Sequence, residues 1–525
     1  MGLYFSKDYG VSWDENYHRK NGKENLAYVL RFLSLDNILQ VPKHVKNPQI
    51  GIGGYGPIFD ILCFFSEKLL VVKDSKNVFL LRHKVNFIIY FLGVFMFYLF
   101  LRKIFKSQLF GFVGAMFYFL SPRLFANGFY NPKDSISQAV LACSLLPLYL
   151  TYKNKNQKMS LLAGILLGIA ITVRLPILYL PCLFILLLSY KSLKEGKLFK
   201  IEDQYKTIEI LFAVSTITST LIFFPVLWEA PLNNFKIIFN NLNQHPWKGN
   251  NLFMGELIPA SNLPWYYLPI WILVTTPFSF VFLLIAGIFK SFKNILDSNI
   301  RDNLFYIFML AGLIVPIASV IILNSTLYNG WRHLYFVYPF MAFFMSIGFQ
   351  WIYKWLCLIF SKDQKKVLIL LLFITFINPL YFIFRTHPNQ QVYFNKFAGS
   401  YPLENFEGDY LAVSMFQAID WIIKNNSKHK INVLSPLNAA ARSNILLERK
   451  DQEKLNFLAI EPMNELNGFA NDSTVFSNDK NFNILPNYLI TNSRLEMEGF
   501  SKHKKSEVFN VSSGSLKLWS LYTLD

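Results

Sequence analysis

The sequence predicts an all-α polytopic membrane bundle followed by a small C-terminal α/β domain, and three observations lead there. Of the 525 residues 53% are hydrophobic and 53 are Phe, more apolar side chain than a water-soluble chain of this length needs. The apolar residues run continuously, in several stretches close to the ~20 that cross a hydrocarbon core, and do not alternate as in a transmembrane β-barrel. After Phe384 the composition turns polar, with Asn and Lys frequent.

Residues 1–84 precede the first span. Lys23–Leu33 is amphipathic. Gly51–Lys73 is apolar but carries Pro57, Asp60 and Glu67, so it is expected to lie along the interface, with Tyr55-Gly56-Pro57 as the turn before it. Spans are read at Val85–Leu101, Gln108–Leu120, Ser135–Tyr152, Thr207–Leu227, Trp265–Phe289, Leu304–Leu323, Leu334–Leu358 and Val367–Phe384. The short loops holding Arg102, Lys103 and Lys106, then Lys153, Lys155 and Lys158, Lys191, Lys194, Lys197 and Lys200, Lys290 and Lys293, and Lys362, Lys365 and Lys366 are basic, hence cytoplasmic. Alternation then puts residues 1–84, Ser121–Asp134, Trp228–Pro264, Asn324–His333 and everything after Arg385 on the extracytoplasmic face of the cytoplasmic membrane. Basic loops flank Met159–Tyr190 on both sides, so this stretch should enter and return. Arg174-Leu175-Pro176 lies at its middle, where Pro interrupts a helix, and the expectation is two short helices meeting at a tip that carries Arg174, against the alternative of one long tilted helix from which Arg174 snorkels.

Three regions follow: 1–84 as an extracytoplasmic acidic loop with interfacial helices, 85–384 as the bundle, and 385–525 as an extracytoplasmic α/β domain. In the last, Phe416–Ile423 reads as helix and Ile431–Leu434, Tyr488–Ile490 and Leu516–Leu521 as strands. With residues 1–84 outside and no leader before them, the alternation expects a further span ahead of Met1. The net charge of +18 belongs to cytoplasmic loops facing anionic membrane lipid, and no soluble basic domain points to nucleic acid. Cys63, Cys143, Cys182 and Cys357 lack metal-ligand spacing and read as small buried hydrophobes.

Acids and cations gather on the outer loops. Trp13-Asp14-Glu15-Asn16-Tyr17-His18 puts two carboxylates beside a His, a set that can deprotonate an alcohol or hold a divalent cation, with Glu15 and His18 as its candidate ligands. The plainer reading is acidic N-capping of the next helix. Ser121–Asp134 carries Arg123, Lys133 and Asp134; Pro132 suits a first helical turn, so capping again competes with a functional role for Asp134. Tyr328-Asn329-Gly330-Trp331-Arg332-His333 offers a guanidinium fork matched to phosphate oxygens and an imidazole donor, against the alternative of an interfacial Trp/Arg anchor.

Together with Tyr55–Ile58, Leu327–Pro339 and His387–Asn395, these strings resemble the polyprenyl-phosphate-sugar-dependent glycosyltransferases of the GT-C superfold, in particular the bacterial relatives of protein O-mannosyltransferases and aminoarabinose lipid A transferases. The resemblance covers most of the membrane part and fades after about Trp421. It implies a helical bundle whose outward cavity is covered by the first outer loop. It also implies Asp14 as the key carboxylate supported by Glu15, Asp134 as the second-loop acid, and Arg174 and Arg332, with His333, Arg123 and Lys133, as donor-phosphate ligands. The implied partners are a polyprenyl-phosphate-linked sugar, membrane lipids, and a lipid, glycan or protein acceptor. The implied reaction is inverting sugar transfer. Three readings compete: a flippase or transporter, which places ionisable groups midway through the bilayer; a polysaccharide polymerase or ligase using a diphosphate-linked donor; and a non-catalytic assembly factor on the same fold.

Overall fold

A computed structural model describes residues 2–35, 56–195, 204–243, 249–297, 300–360, 363–435, 439–459, 487–492 and 506–523. The helices of eight or more residues are α1 (Glu15–Phe32), α2 (Ile58–Leu69), α3 (Ser75–Phe105), α4 (Gln108–Phe119), α5 (Pro122–Tyr130), α6 (Asp134–Asn154), α7 (Gln157–Val173), α8 (Tyr179–Lys194), α9 (Gln204–Ile222), α10 (Pro231–Asn243), α11 (Tyr267–Thr275), α12 (Phe278–Asp297), α13 (Ile300–Ile322), α14 (Tyr338–Ile359), α15 (Gln364–Arg385) and α16 (Met415–Asn425). Among the described residues seven helices are long and apolar enough to cross a membrane. There are eight if α4 and α5, bent by 69°, form one span. The chain is a multi-pass helical membrane protein.

Small residues let the helices close. A Cβ at Gly164 or Gly168 of α7 would strike Ser215 or Ser219 and the backbone of α9, and Ser219 Oγ donates across the same contact to the Ile165 carbonyl at 2.8 Å. This is the small-xxx-small contact that replaces hydrophobic driving force inside a bilayer. Gly287 of α12 and Gly348 of α14 bring their two backbones together in the same way.

Several expected boundaries change. The first span begins at Ser75, not Val85, with Asp74 accepting from the Asn77 N–H as N-cap, so the expected domain boundary after residue 84 falls inside α3. The extra turns carry Arg82 and His83, both buried. The Ser121–Asp134 loop is mostly helix: α5 is buried along its whole length. The Trp265–Phe289 span is broken between α11 and α12, because Pro277 lacks the N–H that would continue the ladder. Asn395 repairs that break: Nδ2 donates to the Leu273 and Thr276 carbonyls at 2.6 and 2.7 Å, and its own N–H donates to the Val274 carbonyl at 2.9 Å. Thr207–Leu227, expected as a span, is α9 from Gln204, ended by a 3₁₀ turn at Pro225–Leu227, and is not among the seven; Leu175–Lys194, expected as one short arm of a returning pair, is. Met159–Tyr190 breaks at Arg174 as expected, and a 3₁₀ turn at Leu175–Leu178 separates α7 from α8. In the 51–73 segment residues 51–55 lie outside the described residues, and Ile58–Leu69 forms α2. Of the four cysteines expected to be buried, Cys63 is, Cys143 and Cys357 are half-buried, and Cys182 on α8 is exposed.

Beyond α15 the chain first packs back on the bundle: Ala398, Phe406, Leu411 and Val413 belong to the bundle's apolar core. The α/β domain has a second core of its own, with α16 against a five-stranded sheet ordered β4-β3-β5-β7-β6. Its strands are β3 (Ile431–Ser435), β4 (Leu455–Ala459), β5 (Tyr488–Thr491), β6 (Ser506–Ser513) and β7 (Leu516–Thr523), after the hairpin β1 (Asn250–Phe253) and β2 (Glu256–Pro259). β3 runs parallel to β4 and β5, and β7 runs antiparallel to β5 and β6. The sequence reading found β3, β5 and β7 and missed β4 and β6.

Candidate active site

Asp14 stands at the N-cap of α1 but its side chain caps nothing. Its carboxylate instead accepts from Arg332 Nη1 at 2.9 Å. The side chain keeps 30% exposure, so the group faces an opening. Burial pushes the carboxyl up, but Arg332 and Lys133 outweigh it and hold Asp14 well below the usual carboxylate range.

Asp134 opens α6 and is also relieved of capping, which Asn131 performs: Asn131 Oδ1 accepts from the N–H groups of Lys133 and Asp134 at 3.3 and 3.0 Å. Asn131 Nδ2 then donates to Asp134 Oδ2 at 2.9 Å. Asp134 pairs with Arg174 Nη2 through Oδ1, and its Oδ2 lies 3.8 Å from Arg332 Nη1. Arg174 is placed by the α7–α8 break, and the turn beside it is set by Gly56, whose N–H donates to the Thr172 carbonyl at 2.7 Å. A Cβ on Gly56 would fall 2.5 Å from that oxygen. Arg332 is placed by a turn in which Asn329 and Gly330 both take positive φ. Trp331 is buried there and its Nε1 donates to Thr275 at 2.9 Å, so this string is not an interfacial anchor. The four residues 14, 134, 174 and 332, from four separate segments, therefore form one alternating chain of acids and guanidiniums.

A second buried network holds α1 in place. Glu15 accepts from the Ser12 N–H at 2.7 Å and pairs with His83 Nε2 at 2.9 Å. His18 Nδ1 bonds Asp60 at 2.8 Å, and Asp60 also accepts from Arg82 at 3.0 Å and Asn21 at 3.0 Å. Glu67 takes Arg19 at 2.9 Å and lies 3.8 Å from Arg82. Burial lowers His18, favouring the neutral ring that donates Nδ1–H to an ionised Asp60, whose own burial penalty is outweighed by His18 and Arg82. Glu15 and His18 thus spend their groups on different partners. Among the described residues no three His, Cys, Asp or Glu side chains gather as a metal site would need.

The remaining expected cations divide. Lys133 Nζ lies 5.6 Å from the Tyr17 ring and its charge reaches Asp14. The half-buried His333 ring packs edge-on against Tyr328, centroids 4.5 Å apart. Arg123 lies elsewhere: its Nε donates to the Tyr393 carbonyl at 3.1 Å, beside the Phe394 and Trp271 rings. Sequence reasoning missed Asp60 and Arg82 as members of the support. It also missed Arg442 of the α/β domain, which donates to the Trp13 carbonyl and lies 4.8 Å from that residue's ring, next to Asp14. A charge inside an otherwise apolar helix, as at Asp60, was the available signal.

Residues 75–223 match the family model described as dolichyl-phosphate-mannose-protein mannosyltransferase. That segment carries Arg123, Lys133, Asp134 and Arg174; the other strings that carry the resemblance, at 13–18, 55–58, 327–339 and 387–395, lie outside it. No curated protein matches the chain significantly. Among solved structures, ArnT from Cupriavidus metallidurans in the apo state aligns with TM-score 0.49 at 10% identity, over 99% of this chain and 96% of that one. The same enzyme bound to undecaprenyl phosphate aligns with TM-score 0.47 at 11% identity, over 99% and 95%. The archaeal oligosaccharyltransferase AglB from Archaeoglobus fulgidus, in complex with an inhibitory peptide and a dolichol-phosphate, aligns with TM-score 0.47 at 12% identity. That match covers 82% of this chain, which spans 60% of AglB's length.

Proposed function

We propose that this chain is a membrane glycosyltransferase that moves a sugar from a polyprenyl-phosphate carrier to an acceptor on the outer face of the cytoplasmic membrane, with inversion. The observation that carries the reading is the junction of Asp14 and Asp134 through Arg332, with Arg174 on the far side of Asp134, at one end of an apolar bundle. The match of residues 75–223 to a lipid-phosphate-sugar transferase family supports the same chemistry.

In this mechanism the lipid tail lies between apolar spans and its phosphate enters beside Arg174, Arg332, Lys133 and His333. The acceptor hydroxyl or amine attacks the anomeric carbon opposite the phosphate. Asp14, the carboxylate that faces the opening, takes the acceptor proton. The anomeric carbon–oxygen bond breaks and its electron pair stays on the phosphate, whose growing charge the guanidiniums stabilise. Fixed donors of this kind are typically worth ~3 kcal/mol each, about 100-fold in rate. Asp134 holds both arginines in register.

The test is purification in mild detergent followed by mass spectrometry of the lipids that travel with the protein. A polyprenyl monophosphate, free or carrying a sugar, supports the reading; a diphosphate-linked glycan as the sole passenger overturns it in favour of a polymerase or ligase.

A further inference from the structure

Asp14 owes its position to a part of the chain outside the bundle. The segment before it is buried from Tyr9 to Ser12 and runs between two supports. On the bundle side Tyr9 stacks on Phe129 of α5, ring centroids 4.5 Å apart, and Ser12 Oγ donates to the Tyr130 carbonyl at 3.1 Å. The opposite side is built by residues that follow the last span. Gly10 leaves no room for a Cβ beside the Val413 carbonyl. Val11 shares one apolar cluster with Val78 and Phe79 of α3 and Leu446 of the α/β domain. The Trp13 N–H donates to the Leu411 carbonyl at 3.3 Å. Arg442, on the short helix Ala439–Ser443 that follows β3, donates from Nη1 to the Trp13 carbonyl and lies 4.8 Å from the centroid of the Trp13 ring.

The Arg442 contact reaches furthest towards the chemistry. A peptide group is planar, so the carbonyl oxygen that Arg442 holds is rigidly joined to the Cα of Asp14. Asp14 has little else to aim it: its side chain caps nothing, meets Arg332 and is 30% exposed. Asp134 is placed by Asn131, three residues away, whereas Trp13 is held by a guanidinium 429 positions further along the chain. A guanidinium suits this double task, because its edge donates to an oxygen while its face covers an indole. The same turn of the α/β domain is fastened to the start of α3, where Ser75 Oγ donates to the Ile445 carbonyl at 3.3 Å.

We propose that the α/β domain is a working part of the active site, and that Arg442 is a positioning residue. By holding the Trp13 carbonyl and ring, it fixes where Asp14 presents its carboxylate to the acceptor. The inference rests on the role proposed above for Asp14. Arg174 and Arg332 belong to the bundle, so donor binding does not depend on this hold.

The test uses the full chain in nanodiscs, with membranes from source cells lacking the protein as the supply of donor and acceptor. Transfer, undecaprenyl phosphate binding and backbone hydrogen–deuterium exchange are measured for wild type, Arg442→Gln and Arg442→Lys. A misplaced reacting group costs up to about 100-fold, so Arg442→Gln is expected to lower transfer about 10- to 100-fold, with undecaprenyl phosphate binding near wild type. Exchange at residues 10–18 should quicken about tenfold while β3, β5 and β7 keep their protection, and Arg442→Lys should restore part of both losses. In an Asp14→Asn background Arg442→Gln should lower transfer no further, because the group it acts through is already gone. Wild-type transfer and exchange in Arg442→Gln overturn the inference. A loss that adds in full to that of Asp14→Asn overturns it too, since Arg442 then serves the substrate directly. Should Arg442→Gln unfold the α/β domain, Arg442→Lys and Trp13→Ala carry the same comparison: loosening confined to 10–18 with slower transfer supports the inference, and wild-type transfer overturns it. Wild-type transfer by Asp14→Asn sinks the base reading itself; loss in Asp14→Asn beside none in Arg442→Gln sinks this inference alone.

Discussion

Arg332 donates to Asp14 at 2.9 Å, tying together residues 318 positions apart, and stands 3.8 Å from Asp134 on its other side. One guanidinium thus holds the segment before α1 against the start of α6. Asp14→Asn keeps the shape of this joint and removes its charge. Sugar transfer should fall about 100-fold or more, the range expected for loss of a positioned general base, with the protein still folded. Transfer from a lipid-linked donor, measured beside the thermal midpoint, checks it; wild-type transfer by the variant would remove Asp14 from the mechanism.

The same pairing makes a pH prediction. Asp14 is held below its unfolded value, so its pairing stabilises the fold above about pH 4 and is lost only as pH falls through the lower folded value. Between pH 5 and 7, roughly, the base stays ionised, and no acid limb of the rate profile in that range should disappear in Asp14→Asn residual activity. A limb that does disappear would show Asp14 titrating higher than this environment allows.

The support beneath α1 should be the more fragile part. His18, Asp60, Arg82 and Glu67 are each about 3% exposed or less. Asp60→Ala leaves Arg82 without its nearest carboxylate, and breaking a buried pair in this way costs ~3–5 kcal/mol. A clear drop in the thermal midpoint is expected in detergent. His18 is depressed by burial, so its contribution is present above about pH 6.5 and is lost as pH falls from there towards the folded value. Midpoints recorded from neutral to mildly acidic pH should decline in wild type and decline less in His18→Gln.

What the sequence disclosed follows from the range of each interaction. Apolar runs and basic loops are local, and they located most of the long apolar helices and the break at Arg174. The capping alternatives for Asp14 and Asp134 could not be discarded from sequence, because the residue that does the capping at α6 is Asn131 and the partner of Asp14 lies in another loop. Arg82 was unreadable because the continuous apolar run begins after the charge, whereas the helix begins at Ser75. Arg123 looked equivalent to Arg174 in composition, and only the fold separates one paired with Asp134 from one beside Phe394.

Asn395 shows the same limit in a structural role. It follows the last span, and its value depends on a helix break more than a hundred residues earlier. Asn395→Ala strips the Leu273 and Thr276 carbonyls of their side-chain donor. A buried unsatisfied carbonyl costs about 1–3 kcal/mol, so the variant should melt earlier while donor binding by the folded fraction stays near wild type. Equal losses in both would place Asn395 nearer the chemistry than its contacts suggest.

Arg174 separates a positioning role from a transition-state one. It meets Asp134 where α7 breaks, and in the proposed mechanism it faces the departing phosphate. If that charge matters chiefly as the bond to the sugar breaks, Arg174→Ala lowers kcat about 100-fold with KM for the donor little changed. Arg174→Lys keeps a point charge but loses the planar fork that serves Asp134 and phosphate together, so it should recover part of the rate. A rise in KM at constant kcat would instead make Arg174 a ground-state anchor for the lipid. An unaltered enzyme would leave the Asp134–Arg174 pair as a purely architectural joint between α6 and α7.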